Sequence, residues 1–144
     1  MKNNRLHKQL KINSGTENLA NVRKFVKDTA LECGFGEDDI EQIILAVDEA
    51  CTNIIKHAYG FSPDGIIDID VKFKDDKFTI AITDEGKGFD PKQIPIPDVQ
   101  EFYKQKKVGG LGIYLMRKLM DEVNYSIENK NKNRVTLVKY LKNA

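Results

Sequence analysis

Residues 40–60 read IEQIILAVDEACTNIIKHAYG. Apolar side chains at Ile40, Ile44, Val47, Cys51, Ile54 and Ala58 recur at alternating steps of four and three, which predicts one buried stripe on a helix. Glu49 and Asn53 are four apart on roughly the opposite side, so both project from one face a turn apart. A carboxylate and a carboxamide paired in this way offer a proton acceptor and an oxygen ligand for a metal. On this helix alone the pattern favours a solvated polar face. Two glycine-rich segments downstream shift that balance.

Outward from this helix, the chain alternates in a regular way. Leu6, Lys8, Leu10 and Ile12 predict a short first strand. Ser14-Gly15-Thr16-Glu17 fits a capping box, with Ser14 as N-cap and Glu17 reaching back to it. The helix that follows places Leu19, Val22, Val26, Thr29, Ala30 and Cys33 on one side, leaves Arg23 exposed beside them, and ends at Gly34. Glu37, Asp38 and Asp39 put negative charge at the start of the organising helix, where the macrodipole favours it, and Gly60 closes that helix. Phe61 to Gly65 is a turn. Ile67, Ile69, Val71 and Phe73 alternate with polar residues as a strand with one wet face. A hairpin over Lys74 to Lys77 leads into Phe78, Ile80 and Ile82. The segment from Lys92 to Val108, with Pro95 and Pro97, is long enough to be a lid or binding loop. A helix containing Leu115, Leu119 and Met120, a strand through Val123, Tyr125 and Ile127, a turn at Lys130 to Asn133 and a strand from Val135 to Leu141 complete the order. This order, β-α-α-β-β-loop-α-β-β, predicts an α+β two-layer sandwich with helices on one face of a mostly antiparallel, mixed sheet.

The totals agree with such a domain. A chain of 144 residues supports one hydrophobic core. Net charge is +1 with both signs intermixed, which argues against a nucleic-acid surface or a polybasic membrane patch. Lys104, Lys106 and Lys107 form the one local basic cluster. No apolar run approaches a membrane span and no signal-peptide core follows Met1, so the expected compartment is cytoplasmic. Cys33 and Cys51 fall on apolar stripes and read as small buried hydrophobes.

Two segments carry the chemistry. Asp84 ends a strand and is followed by Gly86 and Gly88 in DEGKGFDP. Glycine lets backbone approach a flat ligand, and a carboxylate at such a strand end can accept the exocyclic amine of adenine. Guanine presents a carbonyl oxygen at that place, so two acceptors would face each other. One charge-assisted bond is worth about 1.5–3 kcal/mol, enough to decide base choice. An Asp-Gly turn between strands is the plainer alternative. A calcium loop fits less well, because glycines stand where oxygen ligands belong. In Gly109-Gly110-Leu111-Gly112, backbone N–H groups at a helix start, with the helix dipole, would hold phosphate oxygens; a hinge before a helix is the alternative. The run is neither a Walker A sequence nor a Rossmann fingerprint. Lys106 and Lys107 lie just upstream. His57, with only His7 elsewhere, reads as a hydrogen-bonded helix histidine and not as part of a metal cluster.

In this order, Glu49…Asn53, Asp84-x-Gly-x-Gly, a long loop and Gly-Gly-Leu-Gly resemble the ATPase fold, called Bergerat-type, shared by gyrase, ninety-kilodalton heat-shock chaperones, sensor histidine kinases and mismatch-repair ATPases. AVDEACTNIIKHAYG, DEGKGFDP and GGLGIYLMRKLMDEV closely resemble the anti-sigma factor serine-protein kinases of bacterial partner-switching systems. The resemblance extends over 1–144 as a single histidine-kinase-like ATPase domain. It implies that Asn53 ligates the magnesium bridging the ATP phosphates and that Glu49 is the general base for a partner's serine hydroxyl. It implies that Asp84 binds the adenine amine and Gly88 lets the loop close on the base. It further implies that Gly109, Gly110, Leu111 and Gly112 bring main-chain amides to the phosphates, with the intervening loop as nucleotide lid. The substrate implied is a STAS-type anti-anti-sigma protein. The second implied partner is a sigma factor, held inactive by a homodimer of the kinase, with exposed Arg23 on a partner surface.

Two positions depart from the family pattern. Asn133-Arg134, with Thr136 two residues on, stands where many relatives carry Gly-Thr, whose threonine helps bind adenine. Val108 stands before the double glycine, where a polar residue is common. The alternative function is an ATP-binding partner-switch module that sequesters a regulator without kinase activity; Glu49 weighs against it, since sequestration needs no base. A histidine-kinase catalytic domain ranks lower, as no helical segment bears a phosphoacceptor histidine.

Overall fold

The structure is a computed structural model that describes residues 5–86, 108–129 and 132–142, with backbone alone at 108–113, 128 and 129. Strand β1 (Arg5–Asn13) leads through a 3₁₀ turn (Thr16–Asn18) into α1 (Leu19–Cys33) and α2 (Glu37–Asn53). A π-helical turn (Ile54–Ala58) prolongs α2. Then come β2 (Ile66–Lys74), β3 (Lys77–Asp84), α3 (Val108–Leu119), β4 (Glu122–Asn129) and β5 (Lys132–Tyr140). The strands form one sheet in the order β1-β2-β3-β5-β4. All four pairings are antiparallel, so the expected α+β class holds and no parallel pair occurs among the described residues.

Alternation decides which face of the sheet is dry. Ile67, Ile69, Val71 and Phe73 on β2, and Phe78, Ile80 and Ile82 on β3, are all buried. They stand opposite one another in register: Ile69 with Ile82, Val71 with Ile80, Phe73 with Phe78. Leu137 and Val135 of β5 continue the layer against Ile80 and Ile82. Cross-strand pairs of this kind stabilise a sheet by about 0.2–1 kcal/mol each. The β2–β3 hairpin turns through Asp75 and Asp76, both at positive φ (52° and 62°), as a tight two-residue turn demands.

The helices cover this dry face. α2 is central, packed against α1, α3 and β5. Its buried set is Ile40, Ile43, Ala46, Val47, Ala50, Cys51 and Asn53. This face is wider than the single stripe expected, with Ile44 only half-buried, because neighbours enclose the helix on more than one side. α1 ends as foreseen. Gly34, at φ 96°, lets its own N–H reach Leu31 O (3.0 Å) while the Phe35 N–H reaches Ala30 O (3.2 Å), a Schellman ending. Phe35 is thereby delivered edge-on to Phe78 and Phe73, with centroids 5.2 and 6.2 Å apart. Lys139 of β5 is buried, its Nζ donating to Gln42 Oε1 and Leu119 O at 2.6 Å each. It ties the last carbonyls of α3 to α2, where a cation also suits the helix dipole. Both cysteines are buried and unpaired. No helix among the described residues is long and apolar enough to cross a membrane.

One local expectation fails. Ser14 does not cap α1: no side-chain cap bond forms there, and Gly15 occupies the cap position before the 3₁₀ turn. The Ser14 hydroxyl instead donates to Ser62 O (2.5 Å) and accepts from the Gly65 N–H (2.9 Å). Fully buried, it stitches the end of β1 to the turn before β2, and that long-range pairing outcompetes the local motif.

Candidate functional site

The end of α2, the end of β3 and strands β4 and β5 line a cleft that opens to solvent. Ala50, Asn53 and Ile54 form one wall, Asp84 lies at the strand end, and Tyr125, Ser126, Ile127, Asn133, Arg134 and Val135 form the other side.

Asn53 is the last residue of α2 before the helix widens into its π turn, an irregularity that recurs at functional sites. The wide turn is closed by the Tyr59 N–H on Ile54 O (3.1 Å), and it buries Ile54, Ile55 and Ala58 together. Contrary to the solvated face expected for it, Asn53 is only 5% exposed. Its Nδ2 has no hydrogen-bond partner among the described residues. A buried polar group normally finds one, so the carboxamide is left for something the described residues do not supply. The orientation of an amide is set by its partners, and its oxygen is the hard donor that magnesium takes. No group of three or more His, Cys, Asp or Glu that could hold a metal occurs among the described residues. A single carboxamide oxygen suits an ion such as magnesium, which takes most of its ligands from water and substrate phosphates.

Asp84 is 4% exposed at the end of β3, between Ile67 and Asn133 in the sheet register. Its Oδ1 accepts from the Gly86 N–H (3.0 Å) and from Asn133 Nδ2 (3.1 Å). Burial pushes its carboxyl above the usual range, against the pull of those two donors. Both bonds converge on one oxygen, and among the described residues Oδ2 takes none, which leaves it as an acceptor. The Asp84–Gly86 tripeptide is also gripped from the end of the π turn: the Tyr59 hydroxyl accepts from the Glu85 N–H (2.8 Å) and donates to Ile66 O (2.6 Å).

Glu49 sits one turn before Asn53, half-buried, and does not line the cleft. Burial, and then the neighbouring Asp48 carboxylate, push its pKa up. A carboxylate raised toward neutrality is the better proton acceptor. Arg23 is exposed, as expected, and paired there: Nη1 donates to Asp48 Oδ1 at 2.7 Å.

Gly109, Gly110, Leu111 and Gly112 lie within the first turns of α3, which begins at Val108; the glycines are part of the helix and do not precede it. α3 packs along α2, so this glycine-rich helix start and the Glu49–Asn53 face belong to adjoining elements. Gly88, Lys106, Lys107 and the expected lid up to residue 107 lie outside the described residues. The roles of Tyr59 and Asn133 were not read from the sequence. Tyr59 stands inside the quoted stretch, but its two partners come from β2 and from the loop after β3.

The chain is an ATPase domain of the histidine-kinase type. The family model described as "Histidine kinase-like ATPase domain" matches residues 12–139. Within it, the serine-protein kinase RsbW of Bacillus subtilis is 34% identical over 98% of this chain and 89% of its own length. RsbW of Staphylococcus aureus is 32% identical over 93% of this chain and 86% of its own. The chain belongs to this family of serine-protein kinases, and an ATPase domain of this type uses ATP. The solved RsbU and RsbW domains of a Mycobacterium tuberculosis protein share the fold, with a TM-score of 0.66 at 16% identity. That match takes in 94% of this chain and 32% of the other.

Proposed function

We propose that this chain is a single ATPase domain over 1–144 that transfers the γ-phosphoryl group of ATP to a serine of a STAS-type anti-anti-sigma protein, and that as a homodimer it sequesters a sigma factor. The observation that carries the catalytic reading is the pairing of two buried polar groups on one cleft. Asn53 has an unpartnered Nδ2 and Asp84 has an unengaged Oδ2 among the described residues, one suited to the phosphate end of a nucleotide and the other to its base.

Asn53 would hold magnesium through its carboxamide oxygen; the ion, when bound, neutralises charge on the phosphate oxygens. Asp84 orients the base by accepting the exocyclic amine at Oδ2. Gly86, and Gly88 beyond it, let backbone lie close to the ring. Main-chain N–H groups of Gly109 and Gly110, free in the first turn of α3, hold phosphate oxygens, aided by the helix dipole, while Leu111 and Gly112 lie further in, where N–H groups are engaged within the helix. Glu49, with its raised pKa, takes the proton of the partner's serine hydroxyl as that oxygen attacks phosphorus. Because phosphoryl transfer depends mainly on positioning and electrostatics, these few groups suffice.

The presence of a base a turn from Asn53 supports transfer over sequestration without chemistry. Incubation with γ-labelled ATP, magnesium and a STAS-domain protein tests the reading. Label on one partner serine is expected; nucleotide binding without label would leave only the sequestering module.

A further inference from the structure

Asn133 lies directly opposite Asp84 in the β3–β5 register, forty-nine residues later in the chain. Its Nδ2 donates to Asp84 Oδ1 at 3.1 Å and makes a longer contact to Gly86 O at 3.4 Å. A carboxamide nitrogen has two N–H groups and no acceptor capacity, and here it faces two acceptors of the same tripeptide. We propose that Asn133 is a positioning residue for nucleotide selection: it occupies Oδ1 of Asp84, fixes the rotation of that carboxylate, and so reserves Oδ2 for an amine-bearing purine. The proposal rests on the reading of Asp84 as the base acceptor and names the residue that makes it selective.

The physical argument is one of rotation. A carboxylate held by a single backbone N–H can swing about its terminal torsion, whose minima are broad, and then presents an oxygen at no fixed place. Two donors on the same oxygen, one from the loop and one from the adjacent strand, remove that freedom. Selectivity against guanine requires it, since a turned-away carboxylate no longer opposes the guanine carbonyl. Asn133 also lines the cleft with Asp84, so it is placed to act on the bound base as well as on the loop. Arg134, next in β5, is directed elsewhere in part, its Nε donating to Thr83 Oγ1 at 3.2 Å.

The test compares ATP and GTP binding, with magnesium, by calorimetry on the full chain and on Asn133→Ala, Asn133→Asp and Asp84→Asn. Asn133→Asp keeps the shape but sets a carboxylate against a carboxylate, so one must take a proton or swing away. The preference for ATP over GTP is expected to fall about tenfold in Asn133→Ala and further in Asn133→Asp, as loss of a bond to a charged group implies. The ratio of ATP to GTP affinity is the deciding readout, since general loosening of the fold would weaken both nucleotides alike. Should Asn133→Ala prove unstable, the isosteric Asn133→Asp carries the comparison. A parent that prefers ATP, with the preference abolished in Asp84→Asn but intact in both Asn133 variants, overturns the role of Asn133 alone. A parent with no preference removes the reading of Asp84, and this proposal with it.

Discussion

Gly86 lies so close to Ala58 that a Cβ built on it would fall 2.6 Å from the Ala58 carbonyl oxygen and 2.7 Å from the Ala58 Cβ. The loop after β3 is thus pressed onto the π turn that follows Asn53, and the two ends of the cleft are coupled through one backbone contact. In Gly86→Ala something must give. Ala58 is buried and cannot retreat, so the loop moves and the Gly86 N–H leaves Asp84. Overpacking of this kind costs about 1–3 kcal/mol, read as a lowered unfolding midpoint. Affinity for ATP should fall with it, by about tenfold for one lost charge-assisted bond. Binding equal to the parent's would mean that the loop does not form part of the site.

Asp84→Asn replaces a pure acceptor with a group that also donates. A donor set against the adenine amine repels it, while the same donor suits the guanine carbonyl. The preference for ATP should therefore shrink by about 10- to 100-fold, the value of one bond to a charged group. Burial raises the Asp84 carboxyl, so base recognition is lost as pH falls through that raised value, above the usual ~3.9 of an aspartate. Competition between ATP and GTP across a pH series reads both effects; an unchanged ratio in the variant would make Asp84 a turn residue only.

Glu49→Gln keeps the size of the side chain and removes the proton acceptor. Nucleotide binding should persist while transfer to the STAS partner drops by about 10²–10⁴-fold, the usual worth of a positioned base. The pKa of Glu49 is raised by burial and by Asp48, and the base works only when ionised. The acid limb of the parent's transfer rate should then lie above the ~4.3 of an ordinary glutamate. Asp48→Asn removes the smaller of the two causes and should move that limb down. A rate that is insensitive to Glu49 and flat through this range would assign the proton to another acceptor.

The strands were legible because alternation survives wherever one face is wet: Ile67, Ile69, Val71 and Phe73 are all buried. The ending of α1 was legible because Gly34 answers a purely local need. Asn53 was legible as a site residue from the motif order, but its burial was not, since a polar residue at helical spacing reads as solvent-facing until neighbours on several sides enclose the helix. Ser14 misled for the same reason in reverse. Its spacing to Glu17 satisfies a local cap, yet its hydroxyl is claimed by Ser62 and Gly65, whose proximity depends on the pairing of β1 with β2. Asn133 meets Asp84 only through the β3–β5 register. Contacts that depend on register or enclosure leave no periodic trace in the chain.

Asn53 gives the sharpest separation between stability and function. Its Nδ2 is buried without a partner among the described residues, and leaving such a group unsatisfied costs about 1–3 kcal/mol. A residue that served only the fold would be destabilising to remove. Here Asn53→Ala loses some packing but also relieves the orphaned donor, so the nucleotide-free variant should unfold within about 1 kcal/mol of the parent, the two effects opposing. Nucleotide tells the opposite story. The parent should be stabilised by ATP with magnesium in proportion to binding, by about 2.7 kcal/mol at a hundredfold excess over Kd, and by less with EDTA present. In Asn53→Ala the magnesium-dependent part of that stabilisation should vanish. Paired thermal melts with and without EDTA decide the matter. A variant that is badly destabilised when empty, yet keeps its magnesium response, would make Asn53 a structural residue and move the metal to other oxygens.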